Sequence, residues 1–388
     1  MRLLQRPSPW RSLFAGAFPP DPSCWPESLA PLKEALAVLG PEPGLAEAKA
    51  WQPSLVAALV RLELPASRIA ELLSDHNDWL YRRAIEEALA EMRTQGWGEP
   101  PVAFCVLTLG SGARHESLLG PDQDNAMILD AYPDTRHAEI DGYFQQLGER
   151  FTSRLDAAGI PLCRGQVMAR WPLWRKRLEE WGRQLEIWTA ERRVKRVQQA
   201  TILLDFFPVY GEARLAEALR DKALELVPRA GLFLDEMAAL LEESPPLLER
   251  FGRLVVDDQA PHERAFDLKR RGLLPMVNAT RLLAWCHGCR SVDSHGRLAE
   301  LVGREGLEAA QAQALQAALG RCQALLLRAQ RESLAQGRTA DGWIDMARLD
   351  EAERLLLRHD MGRVRALIKL ARAAARQGRR QAERGKRT

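Results

Sequence analysis

The sequence predicts an α+β protein that is predominantly helical, with a small sheet in the first half of the chain and a helical bundle behind it. Three observations predict this. Short apolar runs at Val102–Leu109 and Ala126–Leu129 are bounded by breakers and match buried strands in length. From Val194 onward apolar residues recur every three or four positions, the period of amphipathic helices. At 388 residues the chain has room for two or three domains.

In chain order, prolines at 19, 20, 22, 26, 41 and 43 punctuate the first fifty residues. Helices over Ser28–Leu39 and Leu45–Leu62 fit between them. These form an N-terminal helical segment, 1–66. A longer helix over Asn77–Thr94 stops near Gly96 and Gly98 and leads into the first strand. After the second strand the helical period returns over Ala138–Ala158, and Gly159-Ile160-Pro161 breaks it before a third strand. Trp174, Trp181 and Trp188 follow at seven-residue intervals, which aligns them on one helix face. Such a stripe reads as packing, with a pocket wall as the functional alternative. The sheet domain thus spans 67–193. Helices over Leu215–Leu226, Leu232–Leu241, Arg264–Arg271, Val277–His287, Leu307–Gln336 and Asp350–Arg376 make a bundle domain, 194–376, without strands. A basic tail, 377–388, closes the chain.

Composition narrows the class. Hydrophobic residues at 46% and charged residues at 28% are ordinary for a globular protein, and no uncharged apolar stretch is long enough to span a membrane. The N-terminal apolar runs are cut by prolines and lack a signal-peptide core, so a cytoplasmic protein is expected. The net charge of +3 is concentrated at the C-terminus, where residues 363–388 hold ten Lys/Arg against Glu383 alone. The body is therefore net acidic and is not expected to bind nucleic acid, though the tail could touch an anionic partner. Cys286 and Cys289 form a lone CxxC pair, which is read as structural because a zinc site needs two further ligands.

The chemistry lies between residues 110 and 125. Gly110-Ser111-Gly112 ends the first strand, and a turn without Cβ atoms at its glycines lets backbone amides approach phosphate oxygens. Ser111 adds a hydroxyl and Arg114 a planar cationic fork, while Glu116 is suited to orient Arg114 or the turn. Asp122 and Asp124, two apart in extended chain, leave on one face at the head of the second strand. Two hard carboxylates beside a phosphate turn suit Mg2+, one ion or a pair, together with a nucleoside triphosphate. Rival patterns fail: a P-loop needs Gly-Lys-Ser/Thr where Arg114-His115-Glu116 stands, a dinucleotide turn needs Gly at His115, and a calcium loop from Asp122 needs Gly at Met127 and Glu at Pro133.

Gly110-Ser111, Arg114, Glu116 and Asp122-Gln123-Asp124-Asn125 resemble the signature of the nucleotidyltransferase superfamily. The likeness is strongest to the N-terminal catalytic part of protein-PII uridylyltransferases and to bacterial relatives that often carry CBS and cyclic-nucleotide-binding domains. Pro161–Ala169 resembles the next core strand of that family, and Asp267-Leu268-Lys269, Pro275 and Arg281 resemble the core of its helical domain. The resemblance implies a palm sheet followed by a substrate-binding bundle. It also implies Mg2+-dependent transfer of a nucleoside monophosphate to a hydroxyl acceptor on a signalling protein. Asp122 and Asp124 would act as catalytic metal ligands, Gly110, Ser111, Arg114 and Glu116 at the nucleotide, and Asp267 and Lys269 as substrate-domain candidates. One departure stands out: Ile160–Ala169 contains no Asp or Glu, where many members place a third carboxylate. This keeps a second expectation open, a nucleotide-binding regulatory or scaffold protein with little or no transfer.

Overall fold

In the computed structural model the described residues are 21–385, except 24, 41, 191–193, 244, 246, 250, 251, 260 and 261. The N-terminal stretch 1–20, Cys24 and the end of the basic tail, 386–388, lie outside them. The chain divides into two units: residues up to 181 with 205–218, and residues 182–204 with 219 to the C-terminus.

The first unit opens with three short helices, α1 (Ala30–Ala37), α2 (Leu45–Ala50) and α3 (Gln52–Arg61), followed by the 29-residue α4 (Ala66–Thr94). The expected Leu45–Leu62 helix is two helices meeting at Trp51, and Pro53 stands at the start of the second. Helix α4 begins eleven residues before the expected Asn77. The polar run Ser74-Asp75-His76-Asn77-Asp78, which hides the helical period, is buried along its whole length.

Strands β1 (Phe104–Leu109) and β2 (Asn125–Leu129) pair antiparallel from Phe104↔Leu129 to Thr108↔Asn125. Both are buried throughout, as their continuous apolar runs require. A core forms where α4 (Leu80, Ile85, Leu89) and α5 (His137–Ala157; Phe144, Leu147, Phe151) cover Val106, Met127 and Leu129 of the sheet.

Two expected features are corrected here. Pro161–Ala169 is not a regular strand: a turn closes from Gln166 N–H to the Cys163 carbonyl, Gln166 has φ +59°, and the segment meets the head of β2 through an isolated bridge from Gln123 to Leu162 and single bonds such as Asn125 N–H to the Val167 carbonyl. Polar Arg164-Gly165-Gln166 breaks the apolar run there. The third strand is β3 (Arg175–Arg177), parallel to β2. The second correction is β4 (Phe206–Gly211), which lies inside the stretch read as all-helical and pairs antiparallel with β1. The sheet order is β3-β2-β1-β4. Pro208 lies in β4, an edge strand, where a missing N–H is tolerated.

The tryptophan stripe also needs correction. Trp181 and Trp188 lie on α6 (Leu178–Ala190), but Trp174 ends a 3-10 turn ahead of β3. All three are buried, and the Trp181 indole donates to the Met127 carbonyl at 3.0 Å.

The second unit holds α7 (Val194–Leu203), most of α8 (Ala213–Leu226), α9 (Gly231–Leu240), α10 (Leu274–Cys286), α11 (Ser294–Gly303), α12 (Ala309–Ala335) and α13 (Glu351–Gly385). Helix α13 packs on α9, α10 and α12. The expected helix Arg264–Arg271 is instead a strand, β6 (His262–Asp267), followed by a π-helical turn, Lys269–Leu273. β6 is central in a three-stranded antiparallel sheet with β5 (Asp257–Gln259) and β7 (Trp343–Asp345). Among the described residues no helix is long and apolar enough to cross a membrane.

Candidate active site

The period of the extended chain sorts Asp122-Gln123-Asp124-Asn125 into two faces. Gln123 and Asn125 point inward and are fully buried. The Gln123 amide donates to the Thr152 and Ile160 carbonyls, both at 2.8 Å. The Asn125 side chain accepts from Ala169 N–H at 2.8 Å and donates to the Tyr81 hydroxyl at 3.4 Å. These bonds pin the strand head, so Asp122 and Asp124 are presented on the opposite face, the first exposed and the second partly buried.

The small-residue turn meets that face. Leu109 N–H donates to the Asp124 carbonyl and Gly110 N–H to the Asp205 carbonyl. Gly110 has φ +59°, and a Cβ there would lie 3.4 Å from the Asp124 carboxylate. Residues Gly110–Ala113 form one helical turn, on which Ser111 is exposed. The turn, Asp122 and Asp124 line one pocket together with Thr108 of β1 and Asp78 and Tyr81 of α4.

Arg114 is buried beneath this turn. Its Nε donates to Glu116 at 2.8 Å and its Nη1 to Asp205 at 2.7 Å. Burial alone would push its pKa down; the two carboxylates more than offset this and hold it above the ordinary arginine value. Its fork therefore engages Glu116 and Asp205 and braces the turn against β4.

Oxygens of Asp122 and Asp124 and the Cys163 sulfur lie within 4.8 Å of one another. Burial, joined by the neighbouring Asp124 carboxylate, pushes the Cys163 thiol up to about 11, so it is neutral near pH 7. Magnesium takes hard oxygen donors, and the two aspartates fit it while a neutral thiol does not. Asp75 and Asp78 of α4 and His115, just after the turn, form a second group with metal-ligand spacing.

In the second unit Asp267 pairs with Trp343 across β6 and β7, and its Oδ1 accepts from Arg270 N–H at 2.8 Å. It thereby caps the π-helical turn, and Lys269 on that turn is exposed. Cys286 and Cys289 are both free thiols, pushed up by burial to about 12 and about 11.

Three participants escape local sequence reading. Asp205, Cys163 and Asp78 reach the site from distant parts of the chain, and no short motif marks them. The available signal was a run of five polar residues, Ser74–Asp78, inside an otherwise amphipathic helix.

Residues 50–195 match the family model described as "Putative nucleotidyltransferase DUF294", and residues 231–375 match the model described as "Putative nucleotidyltransferase substrate binding domain". The two matches together span well over half of the chain, which belongs to this nucleotidyltransferase family with a helical C-terminal domain. No curated protein matches the chain.

Proposed function

We propose that the first unit binds a magnesium–nucleoside triphosphate and transfers the nucleoside monophosphate to a hydroxyl acceptor. The observation that carries this reading is the meeting of Gly110 and Asp124: a turn whose glycines carry no side chain lies against the face that holds Asp122 and Asp124. Asp122 and Asp124 would hold Mg2+, and the Gly110-Ser111-Gly112 turn would receive the triphosphate. Arg114 and Glu116 would keep the turn in place, with the guanidinium adding positive charge beneath the phosphates.

Bound magnesium would supply charge neutralisation at the phosphates. The acceptor oxygen then attacks the α-phosphorus, and the bond to pyrophosphate breaks. Catalysis rests on alignment and on charges fixed in advance. A protein acceptor, uridylyl transfer and a role in signalling are the finer expectations from the family resemblance, and a cytoplasmic setting agrees with the five cysteines among the described residues being free thiols. A second reading, nucleotide sensing or scaffolding without efficient transfer, is favoured by one observation. The segment 160–169 brings a cysteine, not a carboxylate, to Asp122 and Asp124.

The test is pyrophosphate release and label transfer from α-labelled UTP, ATP, CTP and GTP with Mg2+. Release that depends on Mg2+ and falls at least about 100-fold in Asp124→Asn supports transfer, the scale on which loss of a key charge-stabilising group acts. Tight Mg2+-dependent binding with no release in the wild type supports the sensor reading.

A further inference from the structure

Buried carboxylates are costly unless each oxygen finds a partner, so one that keeps an oxygen unengaged at a pocket calls for a reason. Asp78, on α4, is 4% exposed. Its Oδ2 lies 3.1 Å from His115 Nε2. No other hydrogen bond or ion pair engages its carboxylate among the described residues, yet Asp78 lines the same pocket as Ser111, Asp122 and Asp124. Tyr81, one turn further along α4, lines the same pocket. Burial first, and then the carboxylates of Asp124, Asp78 and Asp122, push its phenol above the ordinary tyrosine value.

The neighbours of Asp78 hold it still. His115 follows the phosphate turn, and its left-handed backbone (φ +52°) turns the ring back toward α4. Its Nε2 also stands 3.5 Å from Asp75 Oδ1, and its ring packs edge-on to Phe207 of β4 with centroids 4.6 Å apart. Ser117 N–H donates to Ser74 Oγ at 3.1 Å, a second tie from the turn to the same part of α4. Helix and turn are thus joined at Asp78 itself and at Ser74, one helical turn earlier.

We propose that Asp78 is the third carboxylate of the site, supplied by the helix ahead of the sheet, and that its Oδ1 accepts the proton of the attacking hydroxyl. This rests on the transfer reading above. In the step, the acceptor O–H bond breaks and its proton passes to Asp78. The acceptor oxygen forms the bond to the α-phosphorus, and the α-phosphorus–oxygen bond to pyrophosphate breaks with its electron pair leaving on pyrophosphate. Asp78 returns its proton to solvent. A base in this role contributes roughly 100- to 10,000-fold in rate. His115 is then a positioning residue, fixing the carboxylate through Oδ2.

The test uses the full chain, Mg–UTP and Mg–ATP, and pyrophosphate release with water as acceptor. Asp78→Asn, close in shape, is expected to keep nucleotide-induced thermal stabilisation within about 2-fold in apparent affinity. Its rate is expected to fall at least about 100-fold, the lower end for a proton acceptor. Asp78→Glu, which retains a carboxylate, is expected to recover part of that rate, a pattern that loss of folding does not produce. Wild-type rates in Asp78→Asn overturn the proposal. So does loss of nucleotide binding in that variant with its melting temperature unchanged, because Asp78 would then be a binding group. If the wild type itself neither binds nor turns over nucleotide, the transfer reading fails, and the role of Asp78 with it.

Discussion

Arg114 shows how one buried charge organises the turn. Asp205 is fully buried and Glu116 nearly so, and both carboxylates are satisfied by the same guanidinium. Removing one member of such a group leaves uncompensated charge and costs about 3–5 kcal/mol. Arg114→Ala is therefore expected to lower stability by that amount in urea denaturation, and Arg114→Lys, which keeps charge but not the fork, by less. A change under about 0.5 kcal/mol, the size of an ordinary surface substitution, would contradict the assignment. His76 makes a second test. Burial, helped by the charge of Lys49, pushes its pKa down to about 3, and its Nδ1 accepts from the Gln52 amide at 3.0 Å. The unfolded chain takes up this proton near the ordinary value of 6.5, but the folded chain does not until about pH 3. The stability contribution is thus complete above about pH 6.5 and declines as pH falls toward 3, by several kcal/mol in all. Equilibrium unfolding between pH 7 and 4 should show this slope, and His76→Gln should flatten it. Equal slopes in the two proteins would remove His76 as its source.

At the scale of elements, β4 completes the sheet through a close approach of two backbones. Gly211 has φ +84°, and a Cβ there would lie 2.2 Å from the Phe104 carbonyl oxygen, next to the bond from Glu212 N–H to the same oxygen. Gly211→Ala must move the strand and is expected to lower the melting temperature by several degrees, consistent with a backbone-strain cost of about 1–3 kcal/mol. An unchanged melting temperature would show that the strand end shifts freely. The helical period and the breaker-bounded runs make most helices, β1 and β2 legible in the sequence. They do not reveal β4, because Phe206-Phe207-Pro208 interrupts any alternation and the helical period resumes at Ala213. They place the start of α4 too late, because a buried polar run looks like a surface. In the site, alternation along Asp122-Gln123-Asp124-Asn125 is legible because it is local. The convergence of Asp78, Cys163 and Asp205 is not, because it depends on how distant elements pack.

For the molecule as a whole, chain order and spatial order differ. The match to the nucleotidyltransferase model ends at residue 195, whereas the first unit regains residues 205–218, including β4 and Asp205. A fragment ending at residue 193 would expose the β1 edge and strip Arg114 of a carboxylate partner. It is expected to aggregate or to lose cooperative thermal unfolding, since bare sheet edges invite association. A monodisperse, cooperatively melting fragment would show that β4 is dispensable. The proposed function requires that Asp122 and Asp124 hold the magnesium of a nucleoside triphosphate at the Gly110 turn. It is tested most directly by thermal stabilisation of the full chain with UTP, ATP, CTP and GTP, with and without Mg2+, in the wild type and in the Asp122→Asn/Asp124→Asn double variant. At least one nucleotide should stabilise the wild type only with Mg2+, by about 2.7 kcal/mol at a hundredfold excess over Kd, and the double variant should lose that Mg2+-dependent part. No stabilisation by any of the four, or a Mg2+-dependent stabilisation that survives in the double variant, would contradict it.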